Sequence, residues 1–346
     1  MSREYSALRT LTLGYATYGT ELYGDSELLS DILYALEWGY THYYGRAELE
    51  GRGWRSTREF NWHDWKIATP KPLMDILVML DEKVPLEKRR DYLELFNALV
   101  VKPTDYGANK VNFGRLIAQS GILTERAERI ICGRDGIEDT YMYADGGVND
   151  GQGFYRDGSY VFHTRHAQNG VYGIEHLMNA VQFANILDGT EFAMNSERKE
   201  LLYGWLRRSF IPFYRNGEFM SVIKGRYPEV TTSFGLLDAI LSLYEMGDRE
   251  QKRETAALLR YAVEQHPLFE NGECAAFFGS LTLRKYLLYR EAMAEKTEAA
   301  PIPMGVKVFN QMDRVVEHGE RYAFALAMSS SRIYNYECIN HRNMDG

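Results

Sequence analysis

The chain has 346 residues, enough for one large domain or two unequal ones, and ordinary apolar and charged fractions of 45% and 25%. Its net charge of −8 argues against a general nucleic-acid binder, which carries a basic stripe to neutralise phosphates, although a local cleft of Arg and Lys still attracts a polyanion to an acidic protein. No apolar run reaches membrane-spanning length, and the odd, widely separated Cys132, Cys274 and Cys338 offer neither a disulfide framework nor a metal-ligand spacing.

The opening MSREYSALRTL lacks the apolar stretch of a signal peptide, so either the chain stays inside the cell or its true N-terminus lies further upstream. From Glu4 to about Ala292 apolar residues return at intervals of three and four, the mark of amphipathic helices. Helices are predicted in turn over 26 to 44, 72 to 84, 87 to 100, 172 to 189, 196 to 214, 233 to 247 and 255 to 266, many with Ser, Asp or Pro near their starts. Short Gly and Pro connections suit paired antiparallel helices, and the absence of a fixed period argues against a regular solenoid.

The helical pattern lapses between about 133 and 170, where Gly, Asp and aromatic residues crowd together; a loop of that length inside a compact domain is usually functional. EKTEAAPIPMG, from Glu295 to Gly305, reads as a linker. After it the period changes to two, with β-branched and aromatic residues around an HGE turn, which predicts strands. The division is therefore a helical domain over 1–297 and the first strands of a β-domain over 298–346. Two or three strands leave unpaired edges, so the chain reads as cut off within that domain.

Four segments carry residues suited to chemistry. NWHDWKIATPKP (61 to 72) places Trp62 and Trp65 in an irregular stretch, where they are either plugs beneath a loop or a stacking surface for sugar rings, in a chain with 25 Tyr, 16 Phe and 5 Trp. TDYGANKVNFGR (104 to 115) puts Asn109 near a helix start, where capping is the bland role. GFYRDGSYVFHTRHAQNGVYG (153 to 173) holds His163 and Tyr172 nine residues apart in one Gly-bounded loop. SVIKGRYPEV (221 to 230) carries Arg226 in a short nonhelical stretch, where a solvated arginine is the default.

Taken together and in order, these segments resemble polysaccharide lyase family 8, which includes hyaluronate, chondroitin AC and xanthan lyases. NWHDWKIATP is similar to the family's NWWDWEIG-P segment, YGANKV to TGANRV, and DGSYVFHTRHAQNGVYG to DGSF-QH-----NG-YG. KGR (224 to 226) is similar to its Gly-Arg motif, SSSRIYNYECIN (329 to 340) to its SSR--NYESIN opening of the β-domain, and the MDR at 312 to 314 also fits. The resemblance runs from about residue 9 to 346.

It implies a mainly α fold, an incomplete (α/α) toroid followed by the opening strands of a β-sandwich, and a carbon–oxygen lyase that breaks uronate-containing polysaccharide by β-elimination. Such a reaction must neutralise the uronate carboxylate, supply a base near C5 and protonate the oxygen leaving C4. The family gives these tasks to an Asn, a His and a Tyr, here Asn109, His163 and Tyr172, with Arg226 as the cation that favours tyrosinate. Trp62 matches the first aromatic of its stacking patch, with His63 and Trp65 beside it as further substrate-binding candidates, and Glu337 and Asn340 match its polar residues at the domain junction. No metal or cofactor enters the scheme. Acidic polysaccharide is the partner implied, with no nucleic acid or membrane, and the implied protein is an extracellular or periplasmic monomer.

Two departures stand out: His63 where many members have a second Trp, and Val230 where some have a second Arg. They leave two other readings open. One is a toroid glycoside hydrolase using a pair from Asp64, Asp135, Asp157 and Glu175; the other is an inactive carbohydrate-binding remnant.

Overall fold

A computed structural model describes residues 2–51, 61–229, 233–339 and 342–345. It divides into two compact units, one of residues 1–104 and 112–137 and one of 105–111 and 138–346. Among the described residues no helix is long and apolar enough to cross a membrane.

The first unit is helical: α1 (Ser2–Ala16), α2 (Ser26–His42), α3 (Arg46–Leu49), α4 (Pro70–Met79), α5 (Leu86–Leu99), all but the first turn of α6 (Gly107–Thr124), and α7 (Ala127–Asp135). Asp25 starts α2 by accepting from the Leu28 backbone N–H at 2.8 Å, and Pro70 opens α4, where its missing N–H costs nothing. Ile32, Leu36 and Tyr40 recur at four-residue intervals on α2, and with Leu73, Ile76 and Leu77 of α4 and Leu93 and Phe96 of α5 they form one core. α1 packs on both α2 and α4.

The second unit begins with the first turn of α6 and continues where the sequence suggested only a long loop. Part of that stretch forms a small antiparallel sheet of β1 (Gly153–Phe154), β2 (Tyr160–Phe162) and β3 (His166–Ala167). α8 (Ile174–Leu187) and α9 (Ser196–Trp205) follow. The helix predicted over 196 to 214 keeps α-geometry only to Trp205. It then passes through a wider π turn (Leu206–Phe210) and a 3₁₀ turn (Ile211–Phe213) that accommodates Pro212, which has no N–H to continue an α-helix. The hairpin β4 (Tyr214–Arg215) and β5 (Glu218–Phe219) turns through Asn216 and Gly217, both at positive φ as a two-residue hairpin turn requires.

α10 (Ser233–Met246) packs on α8, on α11 (Arg249–Glu264) and, beyond α12 (Ala275–Ser280), on α13 (Leu283–Ala294). Asp248 and Gln251 make a reciprocal capping box at the start of α11. The predicted change of period is then realised as an antiparallel sheet of β6 (Gly305–Phe309), β7 (Arg314–His318) and β8 (Ala323–Ala327), followed by the pair β9 (Tyr336–Ile339) and β10 (Arg342–Asp345). The chain is thus mainly α with short antiparallel strands at its end, as expected.

Candidate active site

His163 is the first residue of the three-residue turn joining β2 to β3, since Phe162 pairs with His166. It has φ 47° and is followed by Thr164 at φ 76°, a left-handed conformation that is uncommon for residues with a Cβ and recurs at functional sites. His166 steadies this turn, one ring nitrogen meeting the His163 carbonyl at 2.9 Å and the other the Tyr336 carbonyl of β9 at 3.2 Å. Tyr172 lies in a π turn (Asn169–Gly173) that leads into α8, a widened turn of a kind frequent at functional sites. Arg226 comes from the turn after β5, and Glu337 from β9.

His163 and Arg226 meet at the buried Glu337 carboxylate, 3% exposed, and Tyr172 joins them through Arg226. Its Oε1 accepts from Arg226 Nη1 at 2.5 Å and from His163 Nδ1 at 2.6 Å. Its Oε2 accepts from Gln168 Nε2 at 2.6 Å and from the Arg226 backbone N–H at 3.2 Å. Removing an ion pair from water costs several kcal/mol per ion, and only good geometry with the remaining lone pairs satisfied offsets that cost; four donors meet the condition here. Burial pushes the Glu337 carboxyl up, but the His163 hydrogen bond and the Arg226 charge outweigh it and hold the group down at about 2.

An ionised Glu337 fixes the imidazole tautomer. Nδ1 must carry the proton given to Oε1, so a neutral His163 presents a lone pair at Nε2. Arg226 Nη1 lies 3.0 Å from His163 Nδ1, yet both are donors. Their approach follows from sharing one acceptor oxygen and is not a bond between them.

The other arm of Arg226, Nη2, donates to the Tyr172 hydroxyl at 2.6 Å. Burial drives the phenol up, the nearby Arg226 charge pulls it down, and the balance is about 12. The Tyr172 and His163 rings stand edge to face at 4.7 Å, and Phe162 packs against both. Gly225, at φ 53°, is required beneath this group: a Cβ there would come within 2.1 Å of the Gln168 amide nitrogen.

Asn109 occupies the first turn of α6, as its sequence context predicts, and its amide donates to Asp105 at 3.1 Å. It is joined to the cluster through its neighbours. Gly107, at φ 48°, lies against Tyr160 and Phe162, and the Ala108 N–H donates to the Tyr160 hydroxyl at 3.3 Å. That hydroxyl is also 3.3 Å from Nδ1 of His176, which burial holds neutral at about 3.

The aromatic patch lies in the first unit. Trp62 is 44% exposed, with its ring near His63 and Phe113. Trp65, expected among the substrate-binding residues, is corrected: it is 3% exposed, its ring lies against Tyr44, and its carbonyl accepts from the Tyr44 hydroxyl at 2.7 Å, so it fills the core. Asn340 and Val230 lie outside the described residues. Of the carboxylates that a hydrolase would need, Asp157 accepts from the backbone N–H groups of Ser159 and Gln311, and Asp135 pairs with Arg134.

Gln168 and His166 are the functional neighbours that the sequence reading missed. Gln168 is fully buried and lies within the interval between His163 and Tyr172, in the run AQNG. Two adjacent amides, Gln168 and Asn169, ahead of Gly170 are the signal that could have drawn attention to it.

The family described as polysaccharide lyase family 8, N terminal alpha-helical domain, matches residues 1–257, and its super-sandwich domain matches residues 304–346. A xanthan lyase from a Bacillus species is 26% identical over 99% of this chain and 36% of its own length. A hyaluronate lyase from Thermasporomyces composti is 27% identical over 98% of this chain and 43% of its own. The crystal structure of the Streptomyces coelicolor chondroitin AC lyase in complex with chondroitin sulphate superposes with a TM-score of 0.86 at 26% identity, covering 98% of this chain and 46% of that one. The chain therefore spans less than half the length of each of these relatives.

Proposed function

The chain belongs to polysaccharide lyase family 8, and from that membership and the geometry above we propose that it cleaves an acidic, uronate-containing polysaccharide by β-elimination. The observation that carries the proposal is the divided guanidinium of Arg226, with one arm on Glu337 at 2.5 Å and the other on the Tyr172 hydroxyl at 2.6 Å. A cation so held lowers the cost of forming tyrosinate from a phenol that burial keeps protonated at neutral pH.

In this reading the Asn109 amide donates to the uronate carboxylate and stabilises its charge-rich form. Tyrosinate at Tyr172 takes the C5 proton, and the C–H electron pair passes into the carboxylate as an enolate. The C4–O bond then breaks as C4=C5 forms, and the Tyr172 phenol returns its proton to the leaving oxygen. His163, with Nδ1 committed to Glu337, offers Nε2 as a second proton acceptor beside the ring carbon. Trp62 gives a sugar ring an exposed indole face, and His63 in place of a second indole makes that surface smaller.

We also propose residues 1–297 as the helical catalytic domain and 298–346 as the opening of a β-sandwich domain, a division supported by the change from helices to antiparallel strands after Ala294. The family resemblance further supports an extracellular or periplasmic monomer.

The direct test is the ultraviolet absorbance of the conjugated unsaturated uronate that elimination creates, measured on mixing with hyaluronan, chondroitin sulfate or deacylated xanthan. Tyr172→Phe should lower that rate by about 10²–10⁴, the usual range for a positioned acid–base group, and leave the fold intact. A fully active Tyr172→Phe protein would remove Tyr172 from the reaction, and reducing ends without unsaturation would favour hydrolysis.

A further inference from the structure

A cleft of about 350 Å³ opens in the second unit between two turns, the β4–β5 hairpin turn and the one joining β7 to β8. Arg215, Asn216 and Glu218 line it from the first, and Arg321 and Tyr322 from the second. The volume falls within the range of about 300–1,000 Å³ typical of small-ligand sites. Both walls are held in place before any ligand arrives. Gly217 abuts the His266 ring so closely that a Cβ would lie 2.9 Å from it, which pins the hairpin turn. Tyr322 is 52% exposed, yet its hydroxyl donates to Glu317 at 2.8 Å and its ring lies across Gly319, where a Cβ would be only 2.3 Å away. A fixed aromatic face binds at lower entropic cost than a mobile one.

The charges point the same way. Among the described residues neither Arg215, whose guanidinium meets the neutral Tyr261 hydroxyl, nor Arg321 forms an ion pair, whereas Lys110, Arg198, Lys199 and Arg207 of the same unit each pair with an acid. Glu218, the acid that lines the cleft, is engaged by Lys224 at 3.0 Å. Two guanidinium groups without anionic partners therefore line one cleft with a phenol ring, on a chain of net charge −8. Guanidinium groups bind carboxylate and sulfate oxygens in a fork, an aromatic face takes the apolar face of a pyranose, and the Asn216 amide is suited to a hydroxyl.

We infer that this cleft is a second saccharide site, separate from the Glu337 cluster, which holds an acidic sugar residue by its carboxylate or sulfate ester. For its ligand class the inference rests on the reading of the chain as acting on acidic polysaccharide.

The test is calorimetric titration with hyaluronan hexasaccharide in a Tyr172→Phe background, where the sugar is not consumed, with chitohexaose as a neutral comparison. Two acidic oligosaccharides should bind per chain, and the cleft-bound one should weaken as salt rises. Adding Arg215→Ala and Arg321→Ala, checked for an unchanged melting temperature, should abolish one of the two sites. Either substitution alone should weaken it by about tenfold, as expected for one charge-assisted hydrogen bond. Unchanged stoichiometry and affinity in the double variant would overturn the inference, as would equal binding of the neutral sugar at the cleft. Binding at the cleft by a wild-type protein that yields no unsaturated product would leave this site standing and sink the lyase reading instead.

Discussion

Two arginines of the second unit are almost equally buried, Arg226 at 7% and Arg314 at 5% exposed, yet their surroundings differ in kind. Arg314, on β7, donates to four backbone carbonyls, those of Val222 at 2.7 Å, Met328 at 2.9 Å, Met312 at 3.1 Å and Asp313 at 3.2 Å. Burial lowers it to about 10, so it stays charged at neutral pH and fastens strand to loop. Arg226 faces a carboxylate, an imidazole and a phenol. Burial works against its charge too, but the Tyr227 hydrogen bond and the charges of Tyr172 and Glu337 raise it overall. Carbonyls cannot change their charge, and so a guanidinium among them fixes position only. Among titratable groups the same cation decides which of them hold protons.

The largest expected effect comes from breaking that distinction at Arg226. Arg226→Met leaves the buried Glu337 carboxylate short of a cation and should cost about 3–5 kcal/mol of stability. It should also slow turnover by about 10²–10³, as removal of a preorganised charge partner does. Tyr172, no longer pulled down by the guanidinium, would then lie further above about 12. If tyrosinate is the base, kcat/KM in wild type should climb with pH across the alkaline range, and the variant should follow a parallel line displaced to higher pH. A variant whose pH–rate line coincides with that of wild type would show that Arg226 only fastens, as Arg314 does.

Arg314→Met sharpens the contrast from the other side. Four carbonyls lose their donor, and each one left unsatisfied costs about 1–3 kcal/mol, moderated where water can enter. Melting temperature should fall, while the rate per folded molecule and its pH profile stay put. Acid titration separates the two variants further. Glu337 is held at about 2, below the ordinary carboxyl value of 4.5, so its contribution to stability is complete above 4.5 and is lost as pH falls through 2. The stability gap between wild type and Arg226→Met should therefore narrow across that window, and the gap to Arg314→Met should not. Denaturant melts at a series of acid pH values measure both.

The contrast also shows what a sequence can and cannot reveal. The helices of both units were legible because their apolar residues recur on one face, and Asn109 was legible as a helix-start residue because the chain around it reads loop and then helix. Trp62 and Trp65 are three residues apart with similar neighbours, yet one indole is exposed and the other lies against Tyr44. That choice depends on residues distant in sequence. Arg226 and Arg314 both look like surface arginines in a one-dimensional reading, since burial of a guanidinium is decided by partners up to 111 positions away. The small sheet β1–β3 was hidden because strands of two or three residues are too short to establish a period. It is nevertheless the element that puts His163 into its left-handed turn.

Gln168 offers the smallest and most selective perturbation. Its Nε2 supplies one of the four donors to Glu337, while its Oε1 is buried without a hydrogen-bond partner among the described residues. Gln168→Leu removes a donor to a buried carboxylate together with an orphaned acceptor at similar volume, so the melting temperature at neutral pH should fall modestly, by less than in Arg226→Met. Glu337 Oε2 would keep only the Arg226 backbone N–H at 3.2 Å. The carboxyl should then rise from about 2 toward its ordinary value, moving the acid limb of kcat/KM to higher pH. At neutral pH the rate should drop by about ten- to hundredfold at most, the scale of one hydrogen bond to a charged group. If Gln168 merely fills space, Leu should serve as well and the acid limb would stay where it is. A shifted limb with only a modest fall in melting temperature instead makes Gln168 the residue that holds Glu337 between His163 and Arg226, and extends the charge-setting group from Arg226 to the amide behind it.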